Sequence, residues 1–357
     1  IAICRANYGG DMIGQPYGNI IIAAAIPAIL YYIAVFWMVD AEAVKLNLSG
    51  VPKDQLPKFK QVLRRGWVYF IPLLALVWVL VIQRASPVRA AAIAMAAAIV
   101  VSWVIPESRM TPKRILLGLE KGAIDVVTVA SVCIAAGIII GIIMLTGVGL
   151  KFGALLITIS GGNLALALLL SMIVCLVMGM GLPTTAAYCV VAVVIAPGLI
   201  LMGLSPLTAH LFVFFFAVIG PITPPVAIAS YAGAAIAGAD PTKVGWTGLK
   251  LGLAAFIVPY AFVYKPGLLL GTSLGTILLH VGIGLAIVFA LVFALQGFIL
   301  AKKITWIARA LFVASVLLLV APGLTSDGLG LVAFLAGLSI HFIIGWVKRR
   351  RQALRHG

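Results

Sequence analysis

Residues 178–188, MGMGLPTTAAY, place two glycines, a proline and two threonines inside a strongly apolar part of the chain. Between Phe152 and Ala239 the sequence contains no Asp, Glu, Lys or Arg. A second group of the same kind follows at 219–226, IGPITPPV. Glycine favours irregular backbone and proline lacks the N–H that a helix needs, so both groups interrupt helices. The two motifs therefore predict two helix breaks within otherwise apolar segments.

The composition indicates a protein that is surrounded by lipid. Of its 357 residues 64% are hydrophobic and 10% are charged, and the mean hydropathy is +1.23. Soluble domains have roughly 45–50% apolar and about 25% charged residues. A water-soluble fold could not bury this much apolar surface. We predict an all-α polytopic membrane protein with about nine membrane spans, one re-entrant helical hairpin and one interrupted helix.

Apolar runs of spanning length define the predicted elements. They lie near 18–39, 67–82, 86–105, 122–146, 208–237, 250–264, 276–300, 304–320 and 329–347. The run at 208–237 contains the second break, and the first break lies between two apolar arms at 163–202. These arms enter and leave on the outer side of the membrane, either as a re-entrant hairpin or as two full crossings. We divide the chain into a core, 1–270, and additional C-terminal membrane helices with a basic tail, 271–357.

The net charge of +16 fits a membrane orientation better than nucleic-acid binding. The basic residues lie in short connectors rather than on one solvated face. Clusters at 40–66, 106–121, 302–303 and 348–351 fall on one side of the membrane when each run crosses once, so this side and the C-terminus are predicted to be cytoplasmic. Segments 54–65 and 111–121 are predicted as amphipathic helices at that surface, with partner docking as the alternative. Thr111 is predicted as the N-cap of the second segment, with Pro112 in its first turn.

The sequence gives little support to an enzyme. The cysteines Cys4, Cys133, Cys175 and Cys189 form no close pair and indicate neither a metal site nor a disulfide. There is no HExxH helix, nucleophile elbow or intramembrane carboxylate pair. A channel would need a repeated filter or charged rings, which are also absent from the sequence. We predict no cofactor beyond a coupling ion.

The first motif is predicted to end one half-helix and to begin another. Gly179 and Gly181 permit conformations that other residues avoid. Pro183 disrupts a continuous helix. Thr184 and Thr185 are predicted to cap the following arm with their hydroxyls.

The second motif is predicted to follow the same plan. Gly220 ends a half-helix, which Pro221 cannot continue. Thr223 is predicted as the N-cap of the next arm, with Pro224 in its first turn and Pro225 where a missing N–H costs little.

Two such breaks predict a binding site of a secondary transporter. Freed carbonyls and threonine hydroxyls suit Na+, and half-helix N-termini favour a carboxylate. The alternative is that both motifs only kink helices and form no binding site. The candidate site residues are Gly179, Met180, Gly181, Pro183, Thr184, Thr185, Gly220, Thr223, Pro224 and Pro225, and the candidate Na+ ligands among them are Gly179, Gly181, Thr184, Gly220 and Thr223. Coupling to H+ stays open.

Three stretches carry a resemblance to a known family. GMGLPTTAAY (179–188), LSPLTAHLFVFFFAVIGPITPPVAIASYAGAAIAGADP (204–241) and GLAAFIVPYAFVYKPGLLL (252–270) resemble the large membrane subunit (DctM-type) of tripartite ATP-independent periplasmic (TRAP) transporters, in the fused variety that works with TAXI-type receptors. The resemblance covers about 15–270 and implies a bacterial or archaeal inner-membrane permease. It further implies Na+-coupled uptake of a small organic anion such as a dicarboxylate, delivered by a periplasmic solute-binding protein, with an elevator-type movement. A proton-coupled carrier, a channel and a scaffold without transport are the alternatives.

The resemblance also implies partners outside this sequence. The family builds its site from two inverted halves, whereas this sequence holds one hairpin and one interrupted helix. We therefore expect a C-terminal fragment that lacks the N-terminal permease half and the small membrane subunit, and that does not transport alone. The residues before about Pro16 fit the family poorly, and 271–357 are expected to pack against the scaffold without a site.

Six further polar side chains are not among the candidate site residues. Asp125 is predicted at the membrane interface, with a functional intramembrane acid as the alternative. His210 is predicted as a polar helix-end residue at the outer surface, with proton coupling as its alternative. Packing is favoured for His341 and Tyr188, although Tyr188 could reach substrate. Asn163 and Asp240 are predicted as helix caps.

Overall fold

The chain folds into α-helices joined by short turns, and the computed structural model describes residues 17–48, 50, 52, 55–104, 109–299 and 302–356. The first helices are α1 (Tyr17–Lys45), α2 (Phe59–Gly66), α3 (Phe70–Val77), α4 (Pro87–Val104), α5 (Pro112–Thr146), α6 (Val148–Ser160) and α7 (Leu164–Gly179). They are followed by α8 (Thr184–Leu201), α9 (Pro206–Ile219), α10 (Ile228–Ala237), α11 (Pro241–Leu251), α12 (Ala254–Tyr264), α13 (Leu274–Gln296), α14 (Trp306–Val320) and α15 (Leu324–His356). Short 3-10 or π segments cover Trp67–Tyr69, Trp78–Ile82, Gly220–Ile222 and Pro266–Leu269.

The prediction of an all-α polytopic membrane protein is confirmed. Seven helical segments of the described chain are long and apolar enough to cross a membrane, namely Tyr17–Lys45, Pro87–Val104, Pro112–Thr146, Thr184–Leu201, Pro241–Tyr264, Leu274–Gln296 and Leu324–Ile344. Shorter apolar helices account for the remaining predicted runs. Outside the helices, β1 (Phe298–Ile299) and β2 (Lys302–Lys303) pair antiparallel.

Both predicted surface helices have other bounds in the structure. The segment 111–121 is not a separate helix, because α5 runs through it to Thr146. No proline interrupts this stretch after Pro112, and a nucleated helix adds residues cooperatively. At 1.5 Å per residue α5 is about 52 Å long, well beyond a hydrocarbon core of about 30 Å. In 54–65 the helix begins only at Phe59, because Leu56 precedes Pro57 and is biased away from helical backbone.

One helix was missed by sequence analysis. The stretch between the run at 122–146 and the hairpin forms α6, whose Gly149 and Gly153 lie against α8. A Cβ built on Gly153 would lie 3.0 Å from Cα of Gly198. The two glycines let α6 pack closely against α8, as small residues do in membrane helix pairs.

Helix starts follow the predicted caps at three positions. The Thr111 side chain accepts a hydrogen bond from the Arg114 N–H, ahead of Pro112 in the first turn. Asn163 Oδ1 accepts from the Leu166 N–H, and Asp240 Oδ1 accepts from the Lys243 N–H. Each cap satisfies a backbone donor that the first helical turn leaves unpaired.

The core lies around α8 and α9. Tyr188, Phe212, Phe216 and Phe262 are among the largest fully buried side chains. Of the residues of α8, 67% are buried within the protein, whereas only 12% are buried in the most apolar part of α5. The two broken segments therefore meet at the most enclosed part of the molecule, while α5 keeps an apolar surface that suits lipid contact.

Candidate functional site

The first break lies where it was predicted. α7 ends at Gly179 and α8 begins at Thr184. Between them Gly181 has a φ of +79°, a conformation that side chains other than glycine rarely adopt. Residues 180–183 are therefore a turn between two half-helices rather than part of one helix.

The second break is also present. α9 ends at Ile219 and is followed by the 3-10 segment Gly220–Ile222. The next helix, α10, begins at Ile228. The Pro224–Pro225 peptide bond in the intervening turn is cis. The predicted interruption of the run at 208–237 is thus confirmed.

The two threonines of the first break do not cap α8. Pro183, with φ −57° and ψ 144°, occupies the N-cap position, and no side chain among the described residues caps this helix. Thr184 and Thr185 already belong to the first turn. The prediction failed because proline supports the extended backbone of an N-cap, so the helix begins directly after it.

Thr223 caps the helix before it instead of the helix after it. Its hydroxyl donates to the Ile219 carbonyl at 3.0 Å, and its N–H donates to the Gly220 carbonyl at 3.0 Å. The predicted N-cap role is wrong because Pro224 precedes another proline and is biased away from helical backbone. The helix therefore starts after Ala227, whose φ of 34° lies in the left-handed region.

The two breaks touch each other through backbone atoms. A Cβ built on Gly220 would lie 3.0 Å from the Gly179 carbonyl oxygen and 3.2 Å from its carbon. A Cβ on Gly179 would lie 3.5 Å from Cα of Ala217. Both glycines are buried. The structure therefore brings the two predicted motifs into one junction.

The rest of the candidate residues surround this buried contact. Gly181, Pro183, Thr184 and Pro225 are exposed. Met180, Thr185, Thr223 and Pro224 are half-buried. The junction thus has a buried floor, formed by Gly179 and Gly220, and an exposed rim, formed by the first four residues.

Proline determines which carbonyls at the junction lack helical partners. Pro224 and Pro225 have no N–H, so they cannot donate to the carbonyls of Pro221 and Ile222 three residues earlier. Pro183 likewise cannot donate to the Met180 carbonyl. Among the described residues, no turn N–H and no side chain donates a hydrogen bond to these three carbonyls, and the residues that carry them are half-buried. The carbonyl oxygens of Pro221 and Ile222 are not among the cation ligands predicted from the sequence. The pair Pro224–Pro225 was the available signal, because two successive prolines leave these carbonyls without helical N–H donors.

Other carbonyls of the junction are already occupied. The Ile219 carbonyl accepts from Thr223, and the Pro225 carbonyl accepts from the Tyr231 hydroxyl at 2.7 Å. Tyr231 also lies over Gly245 of α11, where an added Cβ would come within 3.3 Å of its ring. This tyrosine was not predicted, and it holds the turn of the second break against α11.

Helix capping differs between the two arms of each broken segment. The first arms begin with side-chain caps, Asn163 on α7 and Ser205 on α9. The second arms, α8 and α10, begin without a side-chain cap from any residue that the structure describes. Their first-turn N–H groups therefore lack intrahelical partners and carry the positive end of each helix dipole.

A buried polar pair joins α8 to α9. The Tyr188 hydroxyl and His210 Nδ1 are 2.9 Å apart, and the two residues are 2% and 3% exposed. His210 is therefore buried within the protein and is not exposed at the helix end. The edge of the Phe214 ring also packs against Tyr188. The sequence suggested the two residues separately, but nothing in it indicated that they pair.

An ion pair outside the junction was missed entirely. Lys265 Nζ donates to Asp327 Oδ1 at 2.5 Å and to the Ala321 carbonyl at 3.2 Å. Lys265 follows α12, while Asp327 lies in the first turn of α15. Both residues are buried. The pair fastens the C-terminal helices to the core.

A family model described as "Tripartite ATP-independent periplasmic transporter, DctM component" matches residues 2–277. No curated protein and no solved structure matches. The matched range covers both breaks. It also includes the opening residues, so the expected poor fit before about Pro16 was wrong.

Proposed function

Because the chain belongs to the DctM family of tripartite ATP-independent periplasmic transporters, we propose that its two touching helix breaks form a cation and substrate half-site. Members of this family are membrane-integral permease components of secondary transporters, not enzymes, and they work with a periplasmic binding protein and a small membrane subunit. The observation that supports the half-site most directly is the backbone contact between Gly179 and Gly220. It joins the two irregular segments that such a site requires.

The coupling ion that this junction suits best is Na+. Hard cations prefer oxygen ligands, and irregular backbone inside a membrane protein offers carbonyl oxygens. The carbonyls of Met180, Pro221 and Ile222 are available at half-buried positions. The Thr223 hydroxyl donates its proton to Ile219, which leaves its oxygen lone pairs for a cation. We place the ion between these groups and the predicted ligands Gly179, Gly181, Thr184 and Gly220.

The substrate that the junction suits is a small organic anion. Two uncapped helix N-termini begin at Thr184 and Ile228. Unpaired N–H groups and the helix dipole both favour a carboxylate. In a dicarboxylate delivered by a TAXI-type solute-binding protein, each of the two carboxylates would face one of these helix N-termini. The exposed rim at Gly181, Pro183, Thr184 and Pro225 supplies the access.

A second half-site is part of this proposal. The described residues contain one hairpin and one interrupted helix, and the exposed rim offers a surface for a matching inverted pair. We propose that the N-terminal permease half and the small subunit complete the transporter in the inner membrane, with the C-terminus of this chain in the cytoplasm. This chain alone is then expected not to transport.

Reconstitution into proteoliposomes tests the proposal. The complete transporter with its binding protein should take up a labelled dicarboxylate saturably when an inward Na+ gradient is imposed at equal pH on both sides. Liposomes holding residues 1–357 alone serve as the control and should show no uptake. Ion currents without saturable uptake would indicate a channel, and uptake by the chain alone would refute the half-site model.

A proton-coupled carrier is the second candidate, supported by the buried Tyr188–His210 pair. The two candidates differ in their response to His210→Gln. Under sodium coupling the variant should keep Na+-driven uptake. Under proton coupling, uptake should be driven by a pH gradient without Na+ and should be lost in the variant.

A further inference from the structure

Two cavities lie side by side where the C-terminal helices pack against the core. The first, the aromatic cavity, has a volume of about 370 Å³ and lies between α1, α13, β1 and α15. Six aromatic residues line it: Trp37, Phe289, Phe293, Phe298, Phe334 and Phe342. Its size falls in the range of roughly 300–1,000 Å³ that is typical of ligand pockets. Asp40 also lines this cavity, but the other lining residues are apolar, so an apolar chain would fill most of it favourably.

The second cavity, the basic cavity, has a volume of about 360 Å³ and is lined by Lys45, Lys303 and Arg309. Phe298 lines both cavities, so one wall is shared. A single amphiphilic molecule could therefore occupy the two cavities together. Sequence analysis had assigned no site to this part of the chain.

The basic side chains are largely without acidic partners. In the part of the chain that the structure describes, neither Lys303 nor Arg309 forms an ion pair, and Lys45 shares Glu42 with Lys250. Arg309 is held in place because Nε donates to the Ala294 carbonyl at 2.7 Å and Nη2 donates to the Leu295 carbonyl at 3.2 Å. The cavity thus carries uncompensated positive charge on at least one fixed side chain.

A buried acceptor also lines the basic cavity. Gln296 is 3% exposed, and its Nε2 donates to the Met38 carbonyl at 3.0 Å. Its Oε1 is buried and, among the residues described, has no donor. Buried acceptors are normally satisfied. A ligand with a hydroxyl group would supply the missing donor.

We propose that the two cavities bind one anionic phospholipid. Its phosphate lies among Lys45, Lys303 and Arg309, a headgroup hydroxyl donates to Gln296 Oε1, and an acyl chain fills the aromatic cavity. Basic pockets between membrane helices favour acidic headgroups for the same electrostatic reason. A free phosphate ester would satisfy only the basic cavity and would leave the aromatic cavity empty, which is why we favour the lipid.

Native mass spectrometry of the delipidated full chain in detergent tests the site with phosphatidylglycerol as the probe. Each of Lys45→Ala and Lys303→Ala should weaken binding of one phosphatidylglycerol molecule about fivefold, the effect expected for one basic residue near an anionic lipid. Lys151→Ala removes an exposed lysine of α6 and should leave binding unchanged. Equal losses in Lys303→Ala and Lys151→Ala would overturn the proposal.

Competition and quenching separate the lipid from a free phosphate. Glycerol phosphate and inorganic phosphate should not displace the bound lipid, whereas displacement by either at equal concentration would show a simple phosphate site and contradict the proposal. Phosphatidylglycerol with brominated chains should quench a saturable part of the tryptophan fluorescence, and Trp37→Phe should remove that part. Unchanged quenching in this variant would place the chain elsewhere and refute the aromatic cavity as its site.

Discussion

A side chain at Gly220 would force the neighbouring backbone to shift. An added Cβ would meet the carbonyl group of Gly179, and both atoms of that group belong to the backbone. A side-chain rotation therefore cannot relieve the contact. The close approach of the two breaks depends on the absence of a single methyl group.

Gly220→Ala should therefore separate the two breaks. We expect unfolding to become easier by about 1–3 kcal/mol, the usual cost of overpacking, and Na+-driven uptake by the complete transporter to be strongly reduced. Thermal unfolding in detergent and proteoliposome uptake measure the two effects.

A matched control for this change is Gly233→Ala in α10. This glycine is helical and has open space around its Cβ position. Alanine is favoured over glycine in a helix by roughly 0.5–1 kcal/mol, so this variant should be unchanged or slightly stabilised. Equal behaviour of the two variants would contradict the importance of the Gly179–Gly220 contact.

At the level of elements, prolines decide where helices stop and which backbone groups stay unpaired. Pro183 is the N-cap residue directly before α8, and the pair Pro224–Pro225 delays the start of α10 until Ile228. The turn between α9 and α10 is then held by two hydroxyl groups, those of Thr223 and Tyr231. The irregular segment is therefore specifically supported rather than merely unwound.

Thr223→Val removes the hydroxyl but keeps the shape of the side chain. We expect a loss of about 1 kcal/mol of stability from the lost hydrogen bond to Ile219. If the hydroxyl oxygen also binds Na+, the Na+ concentration for half-maximal uptake should rise roughly tenfold, equivalent to about 1.4 kcal/mol.

Thr223→Ser is the control because it keeps the hydroxyl and should retain both stability and Na+ dependence. Titration of uptake against Na+ concentration distinguishes the variants. A valine variant with unchanged Na+ dependence would remove Thr223 from the ion site.

At the scale of the whole molecule, the C-terminal helices are joined to the core by buried polar contacts. Lys265 and Asp327 connect the end of α12 to the start of α15. Gln296 at the end of α13 donates to the Met38 carbonyl in α1. These contacts fix the C-terminal helices at defined positions, which packing between apolar surfaces alone specifies less sharply.

Breaking one partner of the Lys265–Asp327 pair should be costly. Asp327→Leu leaves Lys265 buried without its charge partner, and we expect a loss of about 3–5 kcal/mol in the free energy of unfolding. The double variant Lys265→Met/Asp327→Leu should recover most of that loss because no buried charge remains.

The half-exposed pair Glu42–Lys250 provides the comparison. Glu42→Gln should cost no more than about 1 kcal/mol, as is usual for exposed ion pairs. Thermal unfolding in one detergent compares the unaltered protein with Asp327→Leu, the double variant and Glu42→Gln. If Asp327→Leu were as stable as Glu42→Gln, the buried pair would not fasten the C-terminal helices.

The sequence by itself determined the lipid-facing all-α character, the places of both helix breaks and the caps at Thr111, Asn163 and Asp240. These features depend on hydropathy and on backbone chemistry that acts within a few residues. The same local reasoning misassigned Thr184 and Thr223, because a hydroxyl can serve the helix before it or none, and the neighbouring prolines decide which.

Only the tertiary structure decided which distant groups meet. It placed Gly179 against Gly220, paired Tyr188 with His210, and joined Lys265 to Asp327 across 62 positions. In an apolar chain many helix faces are chemically alike, so the sequence cannot indicate which faces touch. Close packing and the need to satisfy buried polar groups select one arrangement, and the candidate half-site exists only within it.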